Sequence, residues 1–395
     1  MSRLFRFFLT AFPLIFIFVG CNQEPSSIGA EIIGGTDQIL FKEFDSNSEN
    51  IFQRSNNFKK TLRLGSADML LLGKNENIES NILLTFEVFL NDSLKKYFTN
   101  NQLVIKSSWF VMKSYYSLGN KNLPFNFSVH KIKSGWSPVG FDSDSLKTLQ
   151  YDNQNLISNL KETDSVFTAD LNPSVISDWL KTRYSNSGES NFGLLFKPSI
   201  DAKRFVGFPA YIISYETDQP KLYIELERPS KVRDTIIATP YSDIHSFIGE
   251  LIQEPNYIYN QGGIAINSNL FFNISSFPKD VIVNKATLEL TLDTLKSIDG
   301  TPSSDSVNVQ LIADSLSNAL TTDSLYSAVL IKNKNIYSGD ITWMVQKWIS
   351  ESTNHGVRLS LYDEYASAAR LSFYGSKESN KLLRPRLKII YTQKR

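Results

Sequence analysis

Ala286-Thr287-Leu288-Glu289-Leu290-Thr291-Leu292 alternates apolar and polar side chains at every step. Successive side chains of an extended chain point to opposite sides, so this stretch reads as a strand with one face on a core and one in water. Segments of the same character recur. Asn81 to Leu90, Leu103 to Met112, Phe125 to Ile132, Val307 to Ile312 and Arg370 to Tyr374 are rich in β-branched or aromatic residues and are bounded by Asn, Ser, Gly and Asp. Many short strands of this kind predict an all-β chain built from sandwiches. Order is expected to begin near Ile39, and the roughly 355 residues that follow exceed what one hydrophobic core usually reaches, which points to two domains.

The two halves also match each other. Asp170 leads to Val175-Ile176-Ser177-Asp178-Trp179-Leu180, and Asp340 leads to Met344-Val345-Gln346-Lys347-Trp348-Ile349, with apolar residues at the same four positions. That spacing lines one side of a helix. Asn172 before Pro173, and Thr342 in the second half, are residue types that cap a helix start. Asn191-Phe192-Gly193 then parallels Asn354-His355-Gly356, and the halves close alike, on Pro220-Lys221-Leu222-Tyr223-Ile224-Glu225-Leu226 and Pro385-Arg386-Leu387-Lys388-Ile389-Ile390-Tyr391. The expected organisation is two tandem β-sandwiches, residues 36–228 and 234–393, joined by a linker at 229–233, each with one short amphipathic helix.

At the N-terminus Arg3 and Arg6 precede an apolar run from Phe7 to Val19, broken by Thr10 and Pro13. The run is shorter than the ~20 residues that span a bilayer. A basic start, a short apolar middle and a small residue before the cut make residues 1–20 a secretory signal. Phe18-Val19-Gly20-Cys21 resembles a lipobox, which implies cleavage between Gly20 and Cys21 and acylation of the Cys21 thiol. Each buried acyl methylene contributes ~0.8 kcal/mol, so several chains hold a protein firmly to the bilayer. Residues 21–35 then read as a polar, turn-prone tether. Asn22 differs from the Asp that retains some lipoproteins in the inner membrane, so an outer-membrane address is expected.

Cys21 is the only cysteine among 395 residues. Intrachain disulfides, cysteine zinc clusters and a thiol nucleophile elsewhere are thereby excluded. The chain is 42% hydrophobic and 21% charged with a net charge of +1. It has no second long apolar run and no polybasic stretch, so nothing marks it for nucleic acid.

A family resemblance rests on Asp340-Ile341-Thr342, Trp348, Asn354-His355-Gly356, Ser372-Phe373-Tyr374 and the closing Arg384-to-Tyr391 segment. These resemble the DNRLRE domain, a jelly-roll-like module of secreted bacterial and archaeal proteins, some of which bind carbohydrate. The first half is similar through Leu72-Gly73, Asn81 to Phe86 and Val129 to Trp136, and the opening resembles lipoproteins of the Bacteroidota. The resemblance implies two jelly-roll-like sandwiches and a polysaccharide partner.

Motifs of chemistry are sparse. His130, His245 and His355 stand far apart and form no metal-ligand spacing. No G-x-S-x-G elbow occurs, and Gly65 with Gly73-Lys74 fails the spacing of a phosphate loop. Asp170 and Asp340 tempt as a glycosidase pair, but their place before a helix suits capping. Trp179 and Trp348 belong to the apolar helix faces, and Trp136 reads as packing at a strand end. A sugar platform needs exposed rings with polar neighbours, and Trp109, Tyr115 and Tyr116 are the candidates by clustering. Asp142-Ser143-Asp144 offers hard oxygens for calcium, the one cofactor considered.

Three classes of function are open: a non-catalytic envelope lipoprotein that binds glycan or another surface component, an envelope scaffold that contacts proteins, and a glycan hydrolase or lyase. The first is the expected one, because no acid, base, nucleophile or metal signature supports the third.

Overall fold

The computed structural model describes residues 41–123, 125–211, 218–251 and 254–393. The expected signal segment, the Gly20-Cys21 cleavage site, acylated Cys21 and the tether lie outside the described residues.

The described chain opens with two strands, β1 (Phe41–Asp45) and β2 (Gln53–Lys59). A first run follows: β3 (Met69–Asn75), β4 (Ile78–Phe86), α1 (Asp92–Thr99), β5 (Val104–Lys113), β6 (Tyr116–Leu118), β7 (Phe127–Lys131), α2 (Ser143–Thr148), β8 (Ile157–Thr163), β9 (Val166–Leu171), α3 (Pro173–Ser185), β10 (Leu194–Pro198), β11 (Phe205–Pro209) and β12 (Lys221–Arg228). Two further strands, β13 (Val232–Ala238) and β14 (Pro240–Ile248), precede the second run. That run comprises β15 (Tyr257–Gln261), β16 (Ile266–Phe272), β17 (Val281–Thr291), β18 (Gly300–Thr301), β19 (Ser306–Asp314), β20 (Ala319–Leu320), β21 (Ser327–Asn333), β22 (Ile336–Asp340), α4 (Thr342–Glu351), β23 (Val357–Leu361), β24 (Arg370–Tyr374) and β25 (Arg386–Gln393).

The fold is all-β, as the alternation predicts. In the first run the strands lie in the orders β12-β5-β9-β8 and β11-β3-β4-β10-β7, and the second run repeats this as β25-β17-β22-β21 and β24-β15-β16-β23-β19. Each run lacks two strands, and the missing pairs are exchanged. β13 flanks β12 and β14 pairs with β4, whereas the opening strands β1 and β2 pair with β25 and β16 of the second sandwich.

This corrects the expected boundaries. Pro229–Lys231 is a one-turn 3-10 segment that leads directly into β13, and β13 runs back along β12 from Val232 opposite Arg228 to Ala238 opposite Leu222. Residues 229–231 are therefore a hairpin turn and Val232 and Arg233 open β13, so 229–233 is not a linker. Residues 234–248 belong to the first sandwich and 41–59 to the second. Alternation marks a segment as a strand but is blind to its neighbour, which long-range packing chooses.

Helices α1 and α2 also depart from the expectation of one helix per half. Each is short and buries a single leucine, Leu94 or Leu146, so neither leaves a periodic apolar stripe. α3 begins as expected, with the Asn172 side chain accepting from the Ser174 amide and Val175, Ile176, Trp179 and Leu180 buried. In α4 the cap differs. Asp340 Oδ1 accepts from the Thr342 amide at 2.8 Å, while Thr342 Oγ1 accepts from the Ala286 amide of the neighbouring strand β17.

Three cores result. One lies between the sheets of the first sandwich, where Leu70, Ile82, Leu84 and Phe196 meet Phe110, Phe167, Leu222 and Ile224. A second fills the other sandwich around Leu288, Tyr337, Trp348 and Phe373. The third joins them, with Leu71, Leu83, Leu195 and Phe205 packed with Tyr259, Ile264, Ile266 and Ala368. One sheet of the first sandwich is thus covered on both faces. Leu70-Leu71-Leu72, Ile82-Leu83-Leu84 and Leu194-Leu195-Phe196 are accordingly unbroken apolar runs rather than alternating ones.

Candidate functional site

The open face of β13-β12-β5-β9-β8 carries the arrangement of most chemical interest. Strand alternation sends Phe110, Met112, Leu222, Ile224, Phe167 and Ala169 into the core. The intervening residues face outward. Register places Ser158, Asp170, Trp109, Tyr223 and Ile237 in one row across the sheet.

At the centre of that row the Trp109 and Tyr223 rings stack, with centroids 5.3 Å apart and planes 8° from parallel. Both side chains are half-buried. Polar groups surround them. Asp170 Oδ2 accepts from Asn159 Nδ2 at 2.7 Å, and Asn159 stands at a register shift of β8 with φ at 52°, a bulge that re-aims its side chain. On the next row Glu225 accepts from Ser107 Oγ at 3.2 Å and from Arg233 at 3.0 Å. Further along β5, Lys113 Nζ lies 4.6 Å from the Tyr115 ring centroid, and Tyr115 Oη donates to Asp218 at 2.5 Å. The contact with Tyr115 raises the Lys113 pKa above its ordinary value. An open sheet face with an aromatic pair, carboxylates, an amide and an ammonium offers stacking together with directed hydrogen bonds.

The three aromatic candidates thus separate. Trp109 is central to this face, and Tyr115 is exposed at its end. Tyr116 is not part of it. The intervening chain turns at Ser114, and Tyr116 passes into the joint, 4% exposed, where its hydroxyl accepts from the Ala368 amide at 3.0 Å and lies 3.2 Å from Ser367 Oγ. Burial pushes its pKa up to about 12. Tyr223, whose place in the sequence repeat gives no sign of a site, is the partner that completes the stack. Its signal was its register: an outward position of β12 opposite an outward position of β5.

The paired carboxylates occupy equivalent places in different sandwiches. Asp170 lies opposite Trp109, and Asp340 lies opposite Thr287. Asp340 accepts from the first amide of α4 ahead of its N-cap residue Ile341, whereas Asp170 serves Asn159 and not α3, so neither is the N-cap of its helix. In the second sandwich Thr287 and Lys388 stand where Trp109 and Tyr223 stand in the first, and Arg386 bonds Asp45 beside them. The aromatic pair therefore distinguishes one half of the repeat.

The other repeat residues are structural. Asn191 Nδ2 donates to Phe86 O while its Oδ1 accepts from the Gly193 amide, and Asn354 repeats both bonds with Phe272 O and Gly356. Gly193 and Gly356 have φ of 91° and 86°, and a Cβ on either would sit 2.5 Å from the carbonyl oxygen of Leu84 or Leu270. Both reasons demand glycine. Pro220 and Pro385 are buried ahead of β12 and β25. Trp179 and Trp348 are core residues, and Trp136 donates to Phe192 O at 2.7 Å.

His130 is held by Ser128 and the Asp152 carbonyl, and burial lowers its pKa. His245 is fully buried in β14, which drives its pKa down to about 3. Asp142 Oδ1 caps α2, accepting from Asp144 N, Ser145 N and Ser145 Oγ. The segment considered for calcium is thus a helix start. Among the described residues no group of three or more His, Cys, Asp or Glu is placed to hold a metal ion, and no helix is long and apolar enough to cross a membrane.

No protein-family model and no curated protein matches the chain. Among solved structures it is similar to the C-terminal domain of the AgI/II polypeptide BspA of Streptococcus agalactiae, at 9% identity and a TM-score of 0.19, covering 83% of this chain and 91% of that one. A second structure, titled BspA_C_WT, gives 10% identity and a TM-score of 0.18 over the same shares. These likenesses are too distant to bear on the site.

Proposed function

We propose that the protein is a non-catalytic, lipid-anchored envelope protein whose first sandwich binds glycan on the open face of β13-β12-β5-β9-β8. The observation that carries this reading is the stacked Trp109–Tyr223 pair with Asp170, Asn159 and Glu225 beside it. The apolar face of a pyranose packs on an aromatic ring, and carboxylate and amide groups bond its hydroxyls. The Phe18-to-Cys21 motif supports lipid anchorage at Cys21, and Asn22 supports an outer-membrane address. The DNRLRE-like residues favour the same ligand class.

The test is binding of the chain from residue 22 onward to a polysaccharide panel that includes anionic glycans, alongside Trp109→Ala and Tyr223→Ala. Loss of one principal ring is expected to weaken binding about tenfold or more, the equivalent of about 1.4 kcal/mol. Binding unchanged in both variants removes the site. No binding at millimolar sugar overturns the glycan reading in favour of an envelope scaffold.

A further inference from the structure

One apolar patch is set apart from the scattered exposed hydrophobic residues by its continuity and its place. Trp343 of α4 is 62% exposed, Leu325 57% and Ile282 of β17 50%. All three line one shallow hollow of about 600 Å³. Ile282 lies opposite Thr392 of β25, and Thr392 lies opposite Phe41 of β1. Side chains in one cross-strand row share a face, and two strand spacings put Phe41 about 10 Å from Ile282. Phe41 is itself 63% exposed, so it stands on the same face of the second sandwich as Ile282, with Thr392 between them, and flanks the hollow. Isolated exposed hydrophobic side chains need no explanation, but a contiguous patch that includes tryptophan does.

The patch also holds Phe41, the first described residue. Residues 22–40 connect Cys21 to Phe41, and that length bounds their separation at roughly 65 Å. We infer that this patch rests on the lipid bilayer, seating Trp343, Leu325, Ile282 and Phe41 at the level of the headgroups and presenting the first sandwich to its surroundings. The inference rests on the lipid-anchor reading of Cys21. Tryptophan suits the position, since its ring is apolar and its N–H stays wet. Asp340 at the wall of the hollow keeps the seat interfacial and shallow. Four side chains alone bind a membrane weakly, but a covalent tether makes the contact intramolecular and supplies the local concentration.

Because Cys21 is the only cysteine, the chain from Cys21 to Arg395 can be coupled through its thiol to a maleimide lipid in phosphatidylethanolamine–phosphatidylglycerol vesicles. Tryptophan emission is compared in vesicles of plain and of dibrominated lipid. Brominated lipid is expected to quench about one fifth of the emission, one tryptophan of five, and to leave Trp343→Phe unquenched. Equal emission in both vesicles overturns the inference, as does quenching that persists in Trp343→Phe. A dimer in sedimentation that leaves Trp343 unquenched assigns the patch to a second copy instead. Chemical coupling bypasses acylation in the cell, so mass spectrometry showing an unmodified Cys21 would sink the anchor reading separately from this one.

Discussion

Phe41, at the head of the first described strand, pairs in antiparallel register with Thr392 in the last. The opening strands of the chain thereby complete a sandwich whose own run begins at Tyr257, while β13 and β14, lying just ahead of that run, complete the sandwich before it. Each half holds two strands of the other, and the connections cross side by side, where Lys59 Nζ donates to Gly249 O at 2.8 Å.

The halves are therefore expected to fold only together. A fragment of residues 36–228 lacks β13 and β14 and carries β1 and β2 without partners, and residues 234–393 alone have the converse defect. Exposed unpaired edges of this kind aggregate. The intact chain should unfold in urea as one cooperative transition by both tryptophan fluorescence and circular dichroism, and each fragment alone should be insoluble or unfolded. Two separated transitions, or a folded single fragment, would contradict the exchange.

Tyr116→Phe removes the acceptor of the Ala368 amide inside the joint. An unsatisfied buried donor costs about 1–3 kcal/mol. The urea midpoint should fall accordingly with an unchanged slope, and a shift equivalent to less than about 0.5 kcal/mol would show that the hydroxyl contributes nothing to docking the sandwiches.

Gly193→Ala and Gly356→Ala should destabilise by similar amounts, about 2–5 kcal/mol each, because a left-handed φ and a backbone clash act together. Gly140→Ala is the control. Gly140 has φ of 80° and open space around its Cβ position, so only strain is added and the loss should stay near 1 kcal/mol. Thermal melts of the three variants test the ordering.

The pH dependence should be set in part by β14. Desolvation lowers the His245 pKa from 6.5 to about 3, so the folded state favours the neutral ring. Its contribution is complete above pH 6.5 and is lost as pH falls from there toward 3, on the order of several kcal/mol at the acid end. Asp243 behaves oppositely. Burial raises its pKa from 3.8 to about 6, so its contribution is complete below 3.8 and is lost as pH rises toward 6. His245→Phe should move the acid unfolding midpoint to lower pH, and Asp243→Asn should raise stability at pH 8. Unfolding curves against pH check both signs, and an unmoved acid midpoint in His245→Phe would exclude the histidine as the sensor.

The strand character of the chain, the helical stripes that contain Trp179 and Trp348, and the matched asparagine–glycine turns were all legible in the sequence. Each of these is written in local spacing: period two, period 3.6, or a residue pair that only one backbone conformation accepts. Three things were decided only in the folded molecule. The exchange of β1 and β2 for β13 and β14 depends on which edge each pair completes, and alternation is the same for either choice. The separation of Trp109 from Tyr116 depends on the turn between β5 and β6, which leaves one ring on an open face and puts the other in the joint. The meeting of Trp109 with Tyr223 is a matter of register between strands more than a hundred residues apart, and cross-strand register is fixed by packing of the whole sheet, which no short stretch of sequence carries.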